Sequence, residues 1–454
     1  MKKLIYFLPF VALAMASCSN EVIDQQPALT QDASALVIRP AVQGLTRGTV
    51  TTDANLTVFH ATASATTSDV KFLVGADATT ATQIASIDGN VQKDGSKWIF
   101  NDGKTYWWES KNTEANFKAY APADLDLTGF TVAEEIADQK DVIVAYNEGK
   151  GGDFTSGVPL NFQHVLSQIV VKALNKDAST FKVEVAGVKL TNIVKKGSLT
   201  LPEVSTASPF DWSTYTTVWN IDGSSVQSKY TAGSADANAT SATTLTASAT
   251  SITSEPFLLM PQQLIPAADL SDANNSGTKA VTGTYLSVLI RATDLSQTVP
   301  EQNKDGKYLK ADNSGPIEFD SKSDNSLSYN DTYDDATKLN ATDGTYGGTA
   351  IKMVNPVVYP REGKGNNSAY YAYVCVPIAT EWLPGYKYTY TLNFSKDGIG
   401  KIDPNFAAGE SGADYPGGTG GLKPGEEIID NPIALFFTVT VDSWTDATPE
   451  NKDM

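Results

Sequence analysis

Apolar and polar residues alternate along most of this chain with a period of two, the spacing of a strand with one buried face. The first run after the N-terminus is Leu36-Val37-Ile38-Arg39-Pro40-Ala41-Val42, in which Leu36, Ile38 and Val42 share a face when extended. It leads directly to Leu45-Thr46-Arg47-Gly48-Thr49, where a trypsin-like protease could cut the strand from the rest of the chain. Short strands are then expected at 56–61 and 70–74. The runs 96–100 and 104–108 flank Asn101-Asp102-Gly103, and Asp-Gly supplies the positive φ of a tight turn, so a hairpin is expected there. The run 116–121 stops at Pro122, as a strand end or sheet edge would. A strand over 141–146 and a looser stretch over 147–152 complete this half.

The passage from Val158 to Lys172 holds two apolar runs with His164 between them. Strands are expected at 181–185, 188–193, 198–202, 257–260, 283–291, 369–377, 386–394 and 434–441. Residues 205–254 form a Ser/Thr/Ala-rich tract holding Trp212, Tyr215 and Trp219, expected as a surface excursion. Residues 294–348 are rich in Asp, Asn, Ser and Gly and read as a polar surface insertion. The glycine-rich stretch 397–432 reads as a flexible connection that would let the last strand move. In that strand Leu435, Phe437, Val439 and Val441 share a face. Burying all four is worth on the order of 6–12 kcal/mol gross, at about 1.5–3 kcal/mol each. It is either an ordinary core strand or a strand to be given to a neighbour.

Composition narrows this picture. The 454 residues exceed one usual hydrophobic core, so two or three domains are expected. A 41% hydrophobic share with 7 Trp, 19 Tyr and 17 Phe is enough for real cores. The net charge of -18 opposes nucleic-acid binding and suits a surface protein. Lys2 and Lys3 precede an apolar stretch over 4–15, too short to span a bilayer and of signal-peptide length. Met15-Ala16-Ser17-Cys18 resembles a bacterial lipobox, with cleavage before Cys18 and lipid on its thiol. A lipidated Cys18 leaves Cys375 without a partner, and Cys375 sits in a strand pattern expected to bury an inert thiol. Residues 19–24 are polar and acidic, and 25–34 read as a tether.

Catalytic chemistry has little support. His60 and His164 are the two histidines, too few for a zinc site or a Ser-His-Asp system, and both are expected to be structural. No catalytic or metal-ligating set is assigned and no cofactor is expected. A faint EF-hand-like spacing from Glu301 to Asp312 carries Lys304, Lys307 and Lys310, which would repel the ion. Trp107, Trp108, Trp212 and Trp219 could stack on sugar rings, which leaves an anchored glycan-binding lipoprotein as the alternative function.

Several pieces occur in an order that resembles the fimbrillin-like family, secreted lipoprotein subunits of type V pili. They are Tyr106-Trp107-Trp108, Phe117-Lys118-Ala119-Tyr120-Ala121-Pro122 and Phe162-Gln163-His164-Val165-Leu166-Ser167. Further along come Phe257-Leu258-Leu259-Met260-Pro261-Gln262, Trp382-Leu383-Pro384-Gly385-Tyr386-Lys387-Tyr388 and Val439-Thr440-Val441-Asp442-Ser443-Trp444. The resemblance implies an all-β chain with two transthyretin-like β-sandwich domains in tandem. The expected division is a lipoprotein signal peptide over 1–17, a lipidated tether and removable first strand over 18–47, an N-terminal sandwich over 48–162 and a C-terminal sandwich over 163–454. It also implies cleavage by an arginine-specific protease between Arg47 and Gly48. The uncut chain would be an outer-membrane lipoprotein exported to the cell surface, and the cleaved chain part of a fimbrium. Partners would be other pilus subunits joined by β-strand addition, the outer membrane through lipid (palmitate included) on Cys18, the protease, and host or bacterial surface ligands, with no nucleic acid. Stalk and tip positions both remain open, the polar insertions leaning toward a tip or accessory subunit.

Overall fold

The computed structural model of the protein describes residues 35–42, 51, 55–66, 72–75, 81–201, 203, 219–227, 229–234, 239–268, 270, 281–301, 303, 307–317, 338–340, 342–359, 371–403 and 435–443. The described chain is almost all β, its helical content a single 3-10 turn at Ile136–Asp138. The strands of the first half are β1 (Ile38–Val42), β2 (Val58–Ala65), β3 (Phe72–Gly75), β4 (Thr82–Ile84), β5 (Ser86–Asp94), β6 (Lys97–Phe100), β7 (Thr105–Trp108), β8 (Glu114–Ala121), β9 (Phe130–Thr131), β10 (Ile143–Lys150) and β11 (Val158–His164). Seven of them form one sheet in the order β1-β11-β10-β8-β2-β5-β6, and β4-β3-β7 form another. Alternate residues of the larger sheet pack on the smaller one, with Phe117 against Phe72 (6.4 Å) and Trp108 (5.6 Å) at edge-on angles.

The second half is built on β12 (Ser167–Asn175) and β13 (Phe181–Thr191). β12 lies parallel to Tyr386–Phe394, which carries the closing strand Phe436–Ser443 at its other edge. β13 lies between Tyr230–Gly233 and Tyr285–Asp294, and the latter pairs onward with Ala372–Pro377 and Lys401–Ile402. The inner faces of these sheets share the largest apolar cluster among the described residues. The chain leaves the first sheet at His164 and enters the second system at Ser167.

β10 is a common wall. Ile143 and Ala145 point into the first core and Val144 into the second, as alternation along a strand requires. Phe130, Val132 and Ile136 also join the second core, and β9 pairs with Lys196–Leu199. Gln139 is buried there, its Oε1 accepting from the Leu258 amide at 2.7 Å.

Three expectations need correction, and a fourth is sharpened. β6 and β7 do not form a hairpin: β6 pairs with β5 and β7 with β3, in different sheets. The tight turn is Gly95-Ser96, between the paired Asp94 and Lys97, where Gly95 has φ 60°, and the turn at Asn101-Asp102-Gly103 carries the chain across the core. The looser stretch 147–152 is strand as far as Lys150. Within the Ser/Thr/Ala-rich tract, Tyr230, Ala232 and Leu245 are buried in the second core rather than on a surface excursion. The polar insertion folds on itself where described, with Tyr308, Ile317, Tyr346 and Ile351 forming a small core.

Candidate strand-exchange groove

β1 is an edge strand that completes the first core. It runs parallel to β11 with Ile38 opposite Val158 and Val42 opposite Phe162. The Val158 amide donates to the Val37 carbonyl at 2.8 Å, and the Leu36 amide donates to the Tyr106 carbonyl at 2.8 Å, so the segment closes the seam between the two sheets. The alternation places Ile38, Pro40 and Val42 inward, with Ile38 and Val42 only 2% and 8% exposed. Leu36, half-buried, packs on the same cluster. The floor beneath them is Val158, Leu160 and Phe162 of β11, and Phe162 meets Phe59 edge-on at 5.1 Å.

Gly157 permits the close approach at the start of β11. It has φ +102°, and a Cβ there would lie 3.0 Å from the Arg39 side chain and 3.1 Å from that of Val37. At the other end, His164 Nδ1 and Asp141 Oδ2 are 2.9 Å apart and both side chains are buried. The Thr51 amide donates to the same Asp141 oxygen at 2.8 Å, which anchors the chain just beyond residues 43–50.

Taking β1 away would leave the outer edge of β11 unpaired and uncover the floor. Losing the cover of Ile38 and Val42 alone corresponds to about 3–6 kcal/mol, at about 1.5–3 kcal/mol per fully buried apolar side chain. A groove with apolar pockets at every second residue and a row of free main-chain groups is what β-strand addition requires.

The other expected element, the closing strand, sits in the second core. It pairs antiparallel with Tyr386–Phe394 from Tyr386↔Ser443 to Asn393↔Phe436. Leu435 is 7% exposed, whereas Phe437, Val439 and Val441 are half-buried against that core. Phe436, on the outer face, is 62% exposed.

Leu36, Ile38 and Val42 are thus brought together, as are Leu435, Phe437, Val439 and Val441, each set in its own core. Cys18, Arg47, Gly48, Trp212 and most of 397–432 lie outside the described residues. Pro40, Gly157 and Phe59 belong to the groove although the sequence reading did not single them out for it. Pro40 shows a signal in retrospect, since it shares the parity of Leu36, Ile38 and Val42. Trp107 and Trp108 are 6% and 4% exposed and cannot serve as sugar-stacking platforms, whereas Trp219 is half-buried, its indole donating to the Val165 carbonyl at 2.6 Å and its ring 5.5 Å from that of Phe130. Glu301 of the EF-hand-like stretch pairs with Lys352 at 2.9 Å. Cys375 is buried, its thiol 3.5 Å from the Lys401 carbonyl.

Among solved structures, the chain is similar to a fimbrial protein from Bacteroides vulgatus at 12% identity, covering 91% of this chain and 100% of that one with a TM-score of 0.42. It is also similar to a candidate cell adhesion protein from Bacteroides ovatus at 12% identity, covering 92% and 100% with a TM-score of 0.34. No curated protein matches it. The model of the fimbrillin-like family matches residues 45–407, which is most of the chain from just before Arg47 to just beyond Asp403, and the chain belongs to that family.

Proposed function

We propose that this fimbrial adhesion subunit, a structural protein and not an enzyme, assembles by exchanging edge strands. In this reading Cys18 carries the lipid that holds the precursor at the outer membrane, exposed on the cell surface. An arginine-specific protease cuts between Arg47 and Gly48, and residues 18–47 leave with β1. The groove along β11 then accepts a strand from a neighbouring subunit. The division into two tandem sandwiches near Phe162 belongs to the same proposal.

The observation that carries it is the position of β1, a five-residue edge strand whose inward side chains plug the first core. Spacing supports the closing strand as the donor. Leu435, Phe437, Val439 and Val441 repeat every second residue, as do Leu36, Ile38, Pro40 and Val42, so one set can follow the other into the same pockets. The closing strand is also only half-covered in its own core, which lowers the cost of withdrawing it.

The test is N-terminal sequencing of surface-assembled material. Gly48 is expected as the first residue, and an Arg47→Ala variant is expected to remain lipidated and lose its ladder of oligomers. Assembled fibres that retain Cys18 and β1 would overturn the reading.

A further inference from the structure

A second feature of the molecule lies away from the groove. Lys189 and Asp403 are 2% and 0% exposed, with Lys189 Nζ 2.7 Å from Asp403 Oδ2. Both backbones are fixed by pairing. Lys189 lies in β13 between Thr231 and Ser287 of the neighbouring strands, and the Asp403 amide donates to the Tyr373 carbonyl at 2.9 Å. The Ser287 hydroxyl donates to Asp403 Oδ2 at 2.7 Å and the Tyr285 hydroxyl to Oδ1 at 3.3 Å. The Tyr373 ring lies 4.4 Å from Nζ. An amine and a carboxyl are therefore held against each other by rigid strands inside an aromatic, water-poor site.

We propose that Lys189 and Asp403 join through an intrachain isopeptide bond between Nζ and Cγ. One proton passes from Nζ to the carboxylate, giving a free amine and a neutral carboxylic acid. The amine lone pair attacks Cγ and a C–N bond forms, while the carbonyl electrons move onto the oxygen held by the Tyr285 hydroxyl. A second proton moves from nitrogen to the departing hydroxyl, the electron pair on the Tyr285-held oxygen re-forms C=O as the other C–O bond breaks, and one water leaves. No oxidant, reductant or activated donor is consumed.

Fixed partners of this kind react with effective concentrations on the order of 10⁵–10⁸ M. Donors already aimed at the carboxyl stabilise the negative charge that develops on oxygen. Tyr285 remains such a donor because burial, and then the Asp403 charge, push its ionisation well above the ordinary phenol range.

The bond would join β13 to the residue that directly follows the strand Lys401–Ile402. Under the strand-exchange reading, tension on a donated closing strand would stop at this link and not unzip Lys401–Ile402. That consequence rests on the exchange reading; the bond itself does not.

The experiment is tryptic digestion of the full wild-type chain with tandem mass spectrometry. Expected is a branched peptide joining the Lys189 and Asp403 segments, lighter by one water than its two arms together, and resistant to cleavage after Lys189. It should be absent from Lys189→Ala and Asp403→Ala. Because either variant could fail to fold, the wild-type digest decides. Linear peptides with a Lys189 amine that acetylates under denaturing conditions, and an intact Asp403, would overturn the proposal. A succinimide also loses one water but leaves two linear peptides. Persistence of oligomers with no branched peptide would reject the bond while leaving the exchange reading intact.

Discussion

The first and last described strands both end a sheet, yet they are held in different ways. β1 has five residues in a parallel ladder, and its inward side chains are sealed in the first core. The closing strand has eight residues in an antiparallel ladder, and only Leu435 just ahead of it is sealed. Parallel pairing is slightly weaker per residue, so β1 depends mainly on the pockets it fills. The closing strand depends mainly on its hydrogen bonds, which any other strand of suitable length can supply. The difference suits a plug that is cut away once and a strand that changes partner.

The largest expected effect tests the plug. Ile38→Ala should destabilise the uncut protein by about 2–4 kcal/mol, since it empties a sealed pocket. Val439→Ala, half-exposed, should cost about half as much. Urea unfolding measures both. After treatment with an arginine-specific protease the Ile38→Ala penalty should disappear, because the residue leaves with its fragment. A penalty that survives cleavage would mean that β1 stays in place and that the two edges do not differ as described.

A smaller effect concerns the strand that carries the closing strand. Just beyond Tyr386–Phe394, the Lys396 ammonium lies 3.3 Å from the Asp294 carboxylate, which also accepts from the Ser296 amide and hydroxyl. Burial raises the ionisation of Asp294, but the Ser296 bonds and Lys396 outweigh it and hold the carboxyl below its ordinary value of 3.8. The folded state therefore gains stability above that value, and loses it as pH falls through the lower folded value. Asp294→Asn should cost about 0.5–1.5 kcal/mol near neutral pH and flatten this acid limb. Hydrogen exchange should quicken at the Phe436 end of the closing strand, opposite Asn393, and not in β1. Equal quickening in both would remove the distinction between them.

How far this was legible in the sequence depended on what each residue's environment could encode locally. β1 and the strands Tyr285–Asp294, Ala372–Pro377 and Tyr386–Phe394 showed in the apolar pattern, because their cores demand either alternation or a continuous run. The misplaced hairpin had another origin: Asp-Gly occurs at 94–95 and at 102–103, and turn chemistry alone cannot choose between them. The deciding signal was present nearby. Tyr106, Trp107 and Trp108 are apolar in succession and buried, as a strand covered on both faces must be, whereas β6 is mostly exposed on alternate residues. The pair Asp141 and His164 forms only because the chain returns around β11, and Lys189 meets Asp403 only through sheet order. In β13 a bulge between Val185 and Gly187 breaks the alternation, and the strand beyond it is buried on both faces, Lys189 included. Long-range placements of that kind leave no periodic trace.

The smallest effect on stability is the sharpest test of the closing strand. Its two faces are unequal in the monomer, with Phe436 outward and Phe437 half-buried. A strand donated to the groove along β11 with Leu435, Phe437, Val439 and Val441 inward would keep Phe436 outward there too. Phe436→Ser should therefore leave the monomer within about 0.5 kcal/mol of the wild type and leave the oligomer ladder unchanged. Phe437→Ser should cost the monomer about 1 kcal/mol, in line with its partial cover, and abolish the ladder, because the groove would have to bury a hydroxyl in an apolar pocket. The opposite pattern would mean that the strand enters one residue out of register, since a shift of one exchanges its faces. Ladders from both variants would mean that this strand is not the donor at all.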